Sequence, residues 1–71
     1  MNSKLKEVRI KEGLTITELS KKSGVSTRTI QRIEKGEANF KPETLNRILN
    51  TLNQLSRKNF SFEFIFDRFA G

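Results

Sequence analysis

Apolar residues in the first 55 positions recur at intervals of three and four, the spacing of one face of a helix. Glycine and proline interrupt this pattern and divide it into four segments. The first predicted helix begins around Leu5 and Val8 and ends at Gly13, with Asn2 or Ser3 as its N-cap.

The next two predicted helices are bounded by capping residues and glycines. In "TITE", Thr15 is followed three residues later by Glu18, the arrangement of a capping box, and Gly24 ends this second helix. Ser26 caps a third helix, "TRTIQRIEK", which Gly36 ends. The connection between the two helices is therefore short.

A fourth helix is predicted after the polar loop "KGEANFK". Pro42 suits its first turn, and Leu55 extends its apolar stripe. "QLSRK" is the predicted linker, so that residues 1–55 form a helical domain and residues 56–71 a separate tail. The inward stripe of the fourth helix consists of Leu45, Ile48, Leu49 and Leu52.

The tail, "NFSFEFIFDRF", has a different period. Every second position is a phenylalanine, which in a strand places the rings on one face. Because no other strand is predicted, we expect this strand to pair with its copy in a second subunit. A two-fold axis at Phe62 pairs rings with rings, and an axis at Phe64 is the second choice. The alternative is a strand lying unpaired on its own helices. The predicted dimerisation residues are Phe60, Phe62, Phe64 and Phe66.

Charge and residue types narrow the partners of this chain. Lys and Arg outnumber Asp and Glu by 14 to 8, and residues 1–41 hold ten of the basic and five of the acidic side chains. This excess predicts a polyanionic partner, most often DNA, although solubility alone also explains it.

Without Cys or His, disulfides and the usual structural zinc sites are excluded, and we expect neither metal nor cofactor. No signal peptide or membrane span is recognisable, which predicts a cytoplasmic protein without membrane contact.

Two charged residues lie on the inward faces of predicted helices. Arg9 follows Leu5 by four residues, and Glu34 follows Ile30 by four. Because an unpaired charge in a core is strongly destabilising, we predict a partly buried ion pair that joins the first helix to the third. Alternatively, both long side chains reach water.

The segment "TITELSKKSGVSTRTIQRIEKG" has the spacing of a DNA-binding helix-turn-helix. Small residues are expected where its two helices approach each other, and Ser20 and Gly24 supply them. Apolar anchors around the crossing are Leu19, Val25, Ile30 and Ile33.

From Leu5 to Leu52 the chain resembles the Cro/Xre-like helix-turn-helix regulators related to phage repressors. The resemblance is carried by "VRIKEGLT", "ELSKKSGVS", "TIQRIEKG" and "ETLNRIL". It implies a four-helix repressor-like domain and the same Arg–Glu pair. Two residues depart from the usual pattern: Ile16 replaces a common phosphate-contacting Gln, and Ser20 replaces a common Ala. The tail resembles only loosely the dimerising strands of some antitoxins. The predicted fold class is thus mainly α, with a C-terminal β-strand that pairs between subunits.

The outward face of the third helix is the predicted DNA-reading surface. At about 100° per residue, Arg28, Arg32 and Lys35 face away from the core, and Gln31 lies at the flank. Arginine forks suit guanine, and Gln31 suits adenine or, alternatively, the DNA backbone, so the predicted base-contacting residues are Thr27, Arg28, Gln31 and Arg32. A basic stripe of this kind is also typical of a solvated face. The predicted phosphate contacts are Thr17, Thr29, Lys35, Asn39 and Lys41.

These features predict a dimeric repressor that binds an inverted-repeat operator in double-stranded DNA. A second hypothesis is the antitoxin of a toxin–antitoxin pair, which binds a toxin and regulates its own operon. A third is a helix-turn-helix domain that binds only proteins. An enzyme is not expected, because the sequence has no familiar nucleophile and base, no paired carboxylates and no phosphate-binding glycine loop.

Overall fold

A computed structural model describes residues 4–37 and 40–66 of the chain. The four predicted helices are present, and a short fifth helix occupies part of the tail. Most of the chain is therefore helical, as the sequence predicts. The helices are α1 (Leu5–Lys11), α2 (Ile16–Ser23), α3 (Thr27–Glu34), α4 (Pro42–Ser56) and α5 (Phe62–Ile65).

Side-chain caps fix where α2 and α3 begin. The Thr15 hydroxyl accepts a hydrogen bond from the Glu18 backbone N–H at 3.0 Å, and the Glu18 carboxylate accepts one from the Thr15 N–H at 3.1 Å. This is the predicted capping box. The Ser26 hydroxyl accepts from the Thr29 N–H at 3.2 Å. The N-cap position of α1 is Lys4, whereas Asn2 and Ser3 lie outside the described residues.

Gly24 ends α2 for a conformational reason. Its φ of 77° lies in the left-handed region, where residues with a Cβ are disfavoured. A Cβ built on Gly24 meets nothing within 4 Å. The expectation that Gly24 is needed for close helix approach is therefore wrong, and backbone geometry alone accounts for the glycine.

One hydrophobic core joins all five helices. α2 and α3 contribute Leu19, Ile30 and Ile33, and α4 contributes the predicted stripe. α5 and its C-cap add two fully buried side chains, Ile65 and Phe66. The tail thus completes the core of its own chain. The buried apolar residues are Leu5, Val8, Leu19, Val25, Ile30, Ile33, Leu45, Ile48, Leu49, Leu52, Ile65 and Phe66.

The predicted C-terminal strand is wrong, because residues 62–65 form a helical turn. The Ser61 hydroxyl caps this turn by accepting from the Phe64 N–H at 3.1 Å, and the Phe66 N–H donates to the Phe62 carbonyl at 2.8 Å. The ring centroids of Phe60 and Phe64 are 5.9 Å apart, and those of Phe62 and Phe66 are 5.2 Å apart. In a strand, residues four apart are separated by about 13 Å, so these contacts require a folded-back chain.

The segment that leads into α5 is tied to α4 and α1. α4 extends through Ser56, so the predicted linker is shorter than "QLSRK", and Arg57 ends the helix at a φ of 57°. Asn53 binds the backbone of Phe60 twice, accepting from its N–H at 2.8 Å and donating to its carbonyl at 3.1 Å. The Lys4 N–H donates to the Ile65 carbonyl at 3.1 Å. These bonds hold the tail against the C-terminal part of α4 and the N-terminal end of α1.

Within residues 4–37 and 40–66, no helix has the length and apolarity needed to cross a membrane.

Candidate nucleic-acid interface

The turn between α2 and α3 positions the predicted reading helix. Val25, in the middle of this turn, is buried, and Ser26 caps α3 immediately after it. Ile30 and Ile33 anchor the inner face of α3 in the core. Because its inner face is fixed at both ends, α3 presents its other face to solvent in a defined orientation.

The predicted base-contacting residues all lie on the exposed face of α3. Thr27 and Arg28 occupy its first turn, and Gln31 follows one turn later. With the residues that the structure describes, Arg28 forms neither a hydrogen bond nor an ion pair, so its five N–H donors face solvent. This part of α3 has the composition and exposure of a base-reading surface.

Arg32 differs from Arg28, because it is held by the segment after α3. Its Nε donates to the Glu37 carboxylate at 2.9 Å, and its guanidinium carbon lies 5.6 Å from the centre of the Phe40 ring. About half of the Arg32 side chain remains exposed. The two terminal nitrogens are not engaged by Glu37 and stay available at the C-terminal end of α3.

The predicted phosphate contacts that the structure describes lie on α2, on α3 and just before α4. Thr17 is exposed in the first turn of α2, and Lys35 and Lys41 are exposed at the end of α3 and before α4. Thr29 is half-buried, and its hydroxyl accepts a hydrogen bond from Ser26 at 2.9 Å, which leaves its own proton free to be donated. Asn39 lies outside the described residues.

An ion pair between Arg9 and Glu34 joins α1 to α3. Arg9 Nε donates to Glu34 Oε2 at 2.7 Å, and its Nη2 donates to Oε1 at 3.3 Å. The remaining terminal nitrogen donates to the Leu14 carbonyl at 2.9 Å. The Arg9 and Glu34 side chains are only 11% and 5% exposed. This pair supports the position of α3, because every nitrogen of the guanidinium already has a partner within the protein.

A groove of about 430 Å³ lies beside the exposed face of α3, between that helix and α1 and α2. Two lysines from different elements line it, with an apolar side chain and a glutamine amide. Lys6 is the member that the sequence patterns did not single out. Lys6 lies one helical turn before Arg9 on α1, and it lines the groove because α1 packs beside α3. The lining residues are Lys6, Arg9, Ile16, Gln31, Glu34 and Lys35.

The four phenylalanines predicted to form the dimer contact have different environments. Phe66 is fully buried, and Phe60 and Phe62 are half-buried against the core. Phe64 is 45% exposed, and the Lys4 ammonium lies 4.7 Å from the centre of its ring. Only Phe64 therefore presents a large part of its ring to solvent, and the predicted common face of four rings is wrong.

A comparison with known proteins identifies the family of this chain. A family model described as helix-turn-helix matches residues 5–58, which include α1 to α4 and the turn between α2 and α3. No curated protein and no solved structure matches the chain at a significant level. The chain belongs to the Cro/C1-type helix-turn-helix family and is a DNA-binding transcriptional regulator.

Proposed function

We propose that this regulator recognises a specific DNA sequence through α3 and represses transcription by occupying an operator. The observation that supports this function best is the exposed face formed by Thr27, Arg28 and Gln31 on a helix whose opposite face is fixed in the core. In helix-turn-helix proteins this part of the second helix of the motif enters the major groove.

Arg28 is the principal base reader in this proposal. Its unpaired guanidinium can donate two hydrogen bonds to O6 and N7 of guanine, a contact worth about 1–3 kcal/mol of discrimination. Gln31 reads adenine or an adjacent base edge. Arg32 approaches the DNA with its two terminal nitrogens, while Glu37 fixes its Nε. Arg32 therefore contributes from a restricted position at the end of α3.

The remaining predicted contacts position the protein on the duplex. Thr17 and Thr29 offer hydroxyl donors, and Lys35 and Lys41 offer ammonium groups; Asn39 belongs to the same proposed set. Contacts of this kind go to sugar and phosphate and carry little sequence information. They are expected to contribute affinity that falls as the salt concentration rises.

One recognition helix reads too few base pairs to select an operator, so we propose that two copies bind an inverted repeat. Two-fold dimers of this motif place their recognition helices about 34 Å apart, one turn of DNA. Among the tail residues that the structure describes, Phe64 is the best placed to contribute to a dimer contact, because its ring is 45% exposed. Sedimentation of the Phe64→Ser variant tests this role. A wild-type monomer whose Phe64 instead binds another protein would favour the antitoxin hypothesis.

Selection of bound DNA from a random pool tests the proposed function. Enrichment of an inverted repeat is expected. Arg28→Ala should then lose about 1–3 kcal/mol of preference for one base in each half-site, whereas Lys35→Ala should weaken binding to all sequences similarly. Failure to enrich any sequence would refute sequence-specific recognition, and so would equal effects of both substitutions on an enriched sequence and on random DNA.

A further inference from the structure

The turn after α3 places Glu37 beside Arg32. Gly36, between them and α4, has a φ of 84°, in the left-handed region that favours glycine. The Gly36 N–H donates to the Ile33 carbonyl at 2.9 Å, and the Glu37 N–H donates to the Arg32 carbonyl at 3.2 Å. These two hydrogen bonds are those of a Schellman motif, which turns the chain back toward the last turn of the helix. The backbone of Glu37 is therefore fixed next to Arg32 independently of its side chain.

The Arg32 guanidinium has partners on two sides. The Glu37 carboxylate accepts a hydrogen bond from Arg32 Nε at 2.9 Å, and the centre of the Phe40 ring lies 5.6 Å from the guanidinium carbon. An ion pair with side chains 51% and 43% exposed stabilises a protein little by itself. Because the Schellman motif and the ring already restrict both partners, less conformational entropy is lost when this pair forms. The pair can therefore select one orientation of Arg32.

The contact with Glu37 determines which hydrogen-bond donors Arg32 offers to DNA. A guanidinium carries five N–H donors, one on Nε and two on each terminal nitrogen. The bond from Nε to Glu37 occupies the donor that a fork of Nε and one terminal nitrogen would need. Glu37 engages neither terminal nitrogen, so the fork formed by these two nitrogens stays available. Arg32 thus presents one of its possible forks.

We infer that Glu37 is a positioning residue for sequence recognition, which restricts Arg32 to reading guanine with its two terminal nitrogens. This inference rests on the proposed function, in which Arg32 contacts a base edge. An arginine without such a partner also binds phosphates, which are present in every duplex and carry no sequence information. The negative charge of Glu37 lowers the attraction to any duplex as well. Glu37 therefore reduces affinity for random DNA and increases the preference for the operator.

Fluorescence anisotropy measures both quantities, with random duplex DNA and with variants of the operator obtained by selection. The base pair that Arg32 reads is the one at which Arg32→Ala lowers the preference. Glu37→Ala is expected to lower the preference at this pair by about two- to fivefold, the range of an exposed ion pair, and to bind random DNA more tightly than wild type. Glu37→Gln keeps an acceptor oxygen for Arg32 Nε without the charge. It should also bind random DNA more tightly but retain most of the preference.

Glu7→Ala is the matched control for the loss of one negative charge. Glu7 is exposed on α1 and lines a groove formed with the tail rather than with α3. Its substitution should leave the preference at the base pair read by Arg32 unchanged. An equal loss of preference in Glu7→Ala and Glu37→Ala would reduce the effect to net charge and overturn the inference. Equal losses in Glu37→Ala and Glu37→Gln would overturn it for the same reason.

A double variant tests whether Glu37 acts through Arg32. In the Arg32→Ala background, Glu37→Ala should cause no further loss of preference at this base pair, and an additional loss would overturn the positioning role. If Arg32→Ala lowers the preference but Glu37→Ala does not, the inference fails while the proposed function stands. If an operator is enriched and Arg28→Ala changes its base preference whereas Arg32→Ala does not, the inference likewise fails alone. If no sequence is enriched, both fail.

Discussion

Phe66→Ala removes a ring that the helical turn at the C-terminal end places in the core. Phe66 is fully buried, and its ring lies 5.2 Å from that of Phe62. Truncating a buried phenylalanine costs about 3–5 kcal/mol, because the lost transfer free energy is increased by the cavity left behind. At about 0.05–0.15 kcal/mol per residue, a domain of this size has about 4–11 kcal/mol of stability in total. The substitution is therefore expected to remove at least about a quarter of the free energy of unfolding.

Phe64→Ala is the matched control, since the two phenylalanines are two residues apart. The Phe64 ring is 45% exposed and is held by the Lys4 ammonium at 4.7 Å and the Phe60 ring at 5.9 Å. An exposed cation–π contact and one aromatic pair together contribute about 1–2 kcal/mol. Phe64→Ala should thus cost clearly less than Phe66→Ala. Phe62→Ala should lie between them, because Phe62 is half-buried.

Urea denaturation followed by circular dichroism measures these three free energies. In a strand, all three rings would share one face and their truncations would cost similar amounts. Similar losses at Phe62, Phe64 and Phe66, or a larger loss at Phe64 than at Phe66, would refute the helical turn. If Phe66→Ala does not fold, Phe66→Leu keeps most of the apolar volume and preserves the comparison with Phe64→Leu.

Three further substitutions test other parts of the fold by the same denaturation assay. Glu34→Leu leaves the Arg9 charge buried and unpaired and should cost about 3–5 kcal/mol of unfolding free energy. The double variant that also carries Arg9→Met should recover most of this loss. No recovery in the double variant would contradict the pairing of Arg9 with Glu34. Asn53→Ala removes two hydrogen bonds to the tail backbone and should cost about 1–3 kcal/mol, whereas Asn50→Ala on the exposed side of α4 should be nearly neutral. Gly24→Ala should cost about 1–2 kcal/mol through backbone strain alone; a neutral result would mean that the turn relaxes.

The helical part of the fold could be predicted because its local signals and its packing agree. Thr15 and Glu18 form the capping box that "TITE" indicates, and Ser26 caps the next helix. The stripe of α4 is buried as its spacing predicts. In each case, a sequence pattern that favours one local structure also points apolar residues into the same core.

The tail was mispredicted because two periods coexist in it. Phenylalanine at every second position indicates a strand, but Phe62, Ile65 and Phe66 have the spacing of one helical face. Ile65 breaks the alternation, and Ser61 is an N-cap residue immediately before the turn. These two signals favour a helix, yet four residues are too few for a helix to be stable alone. Burial of Ile65 and Phe66 against the other helices decides between the two periods.

The candidate site was predictable only where exposure follows from the pattern of α3. Its outward face could be assigned by angle alone, because the inward residues Ile30 and Ile33 define the opposite side. The tether from Arg32 to Glu37 depends on the path of the chain after α3, which no local pattern specifies. Lys6 likewise enters the site only when α1 packs beside α3. Tertiary contacts of this kind cannot be read from spacing within one helix.

The tail contributes to the core of its own chain, whereas the strand prediction assigned its phenylalanines to the contact between two subunits. In the structure, Phe66 and Ile65 complete the core within one chain, and among the phenylalanines that the structure describes Phe64 is the most exposed, at 45%. The core residues that the tail contributes therefore pack within one chain, in which α3 keeps its outer face exposed. In the function proposed above, dimerisation acts on the choice of operator by linking two half-sites, whereas the proposed contact of Arg28 with DNA belongs to each subunit.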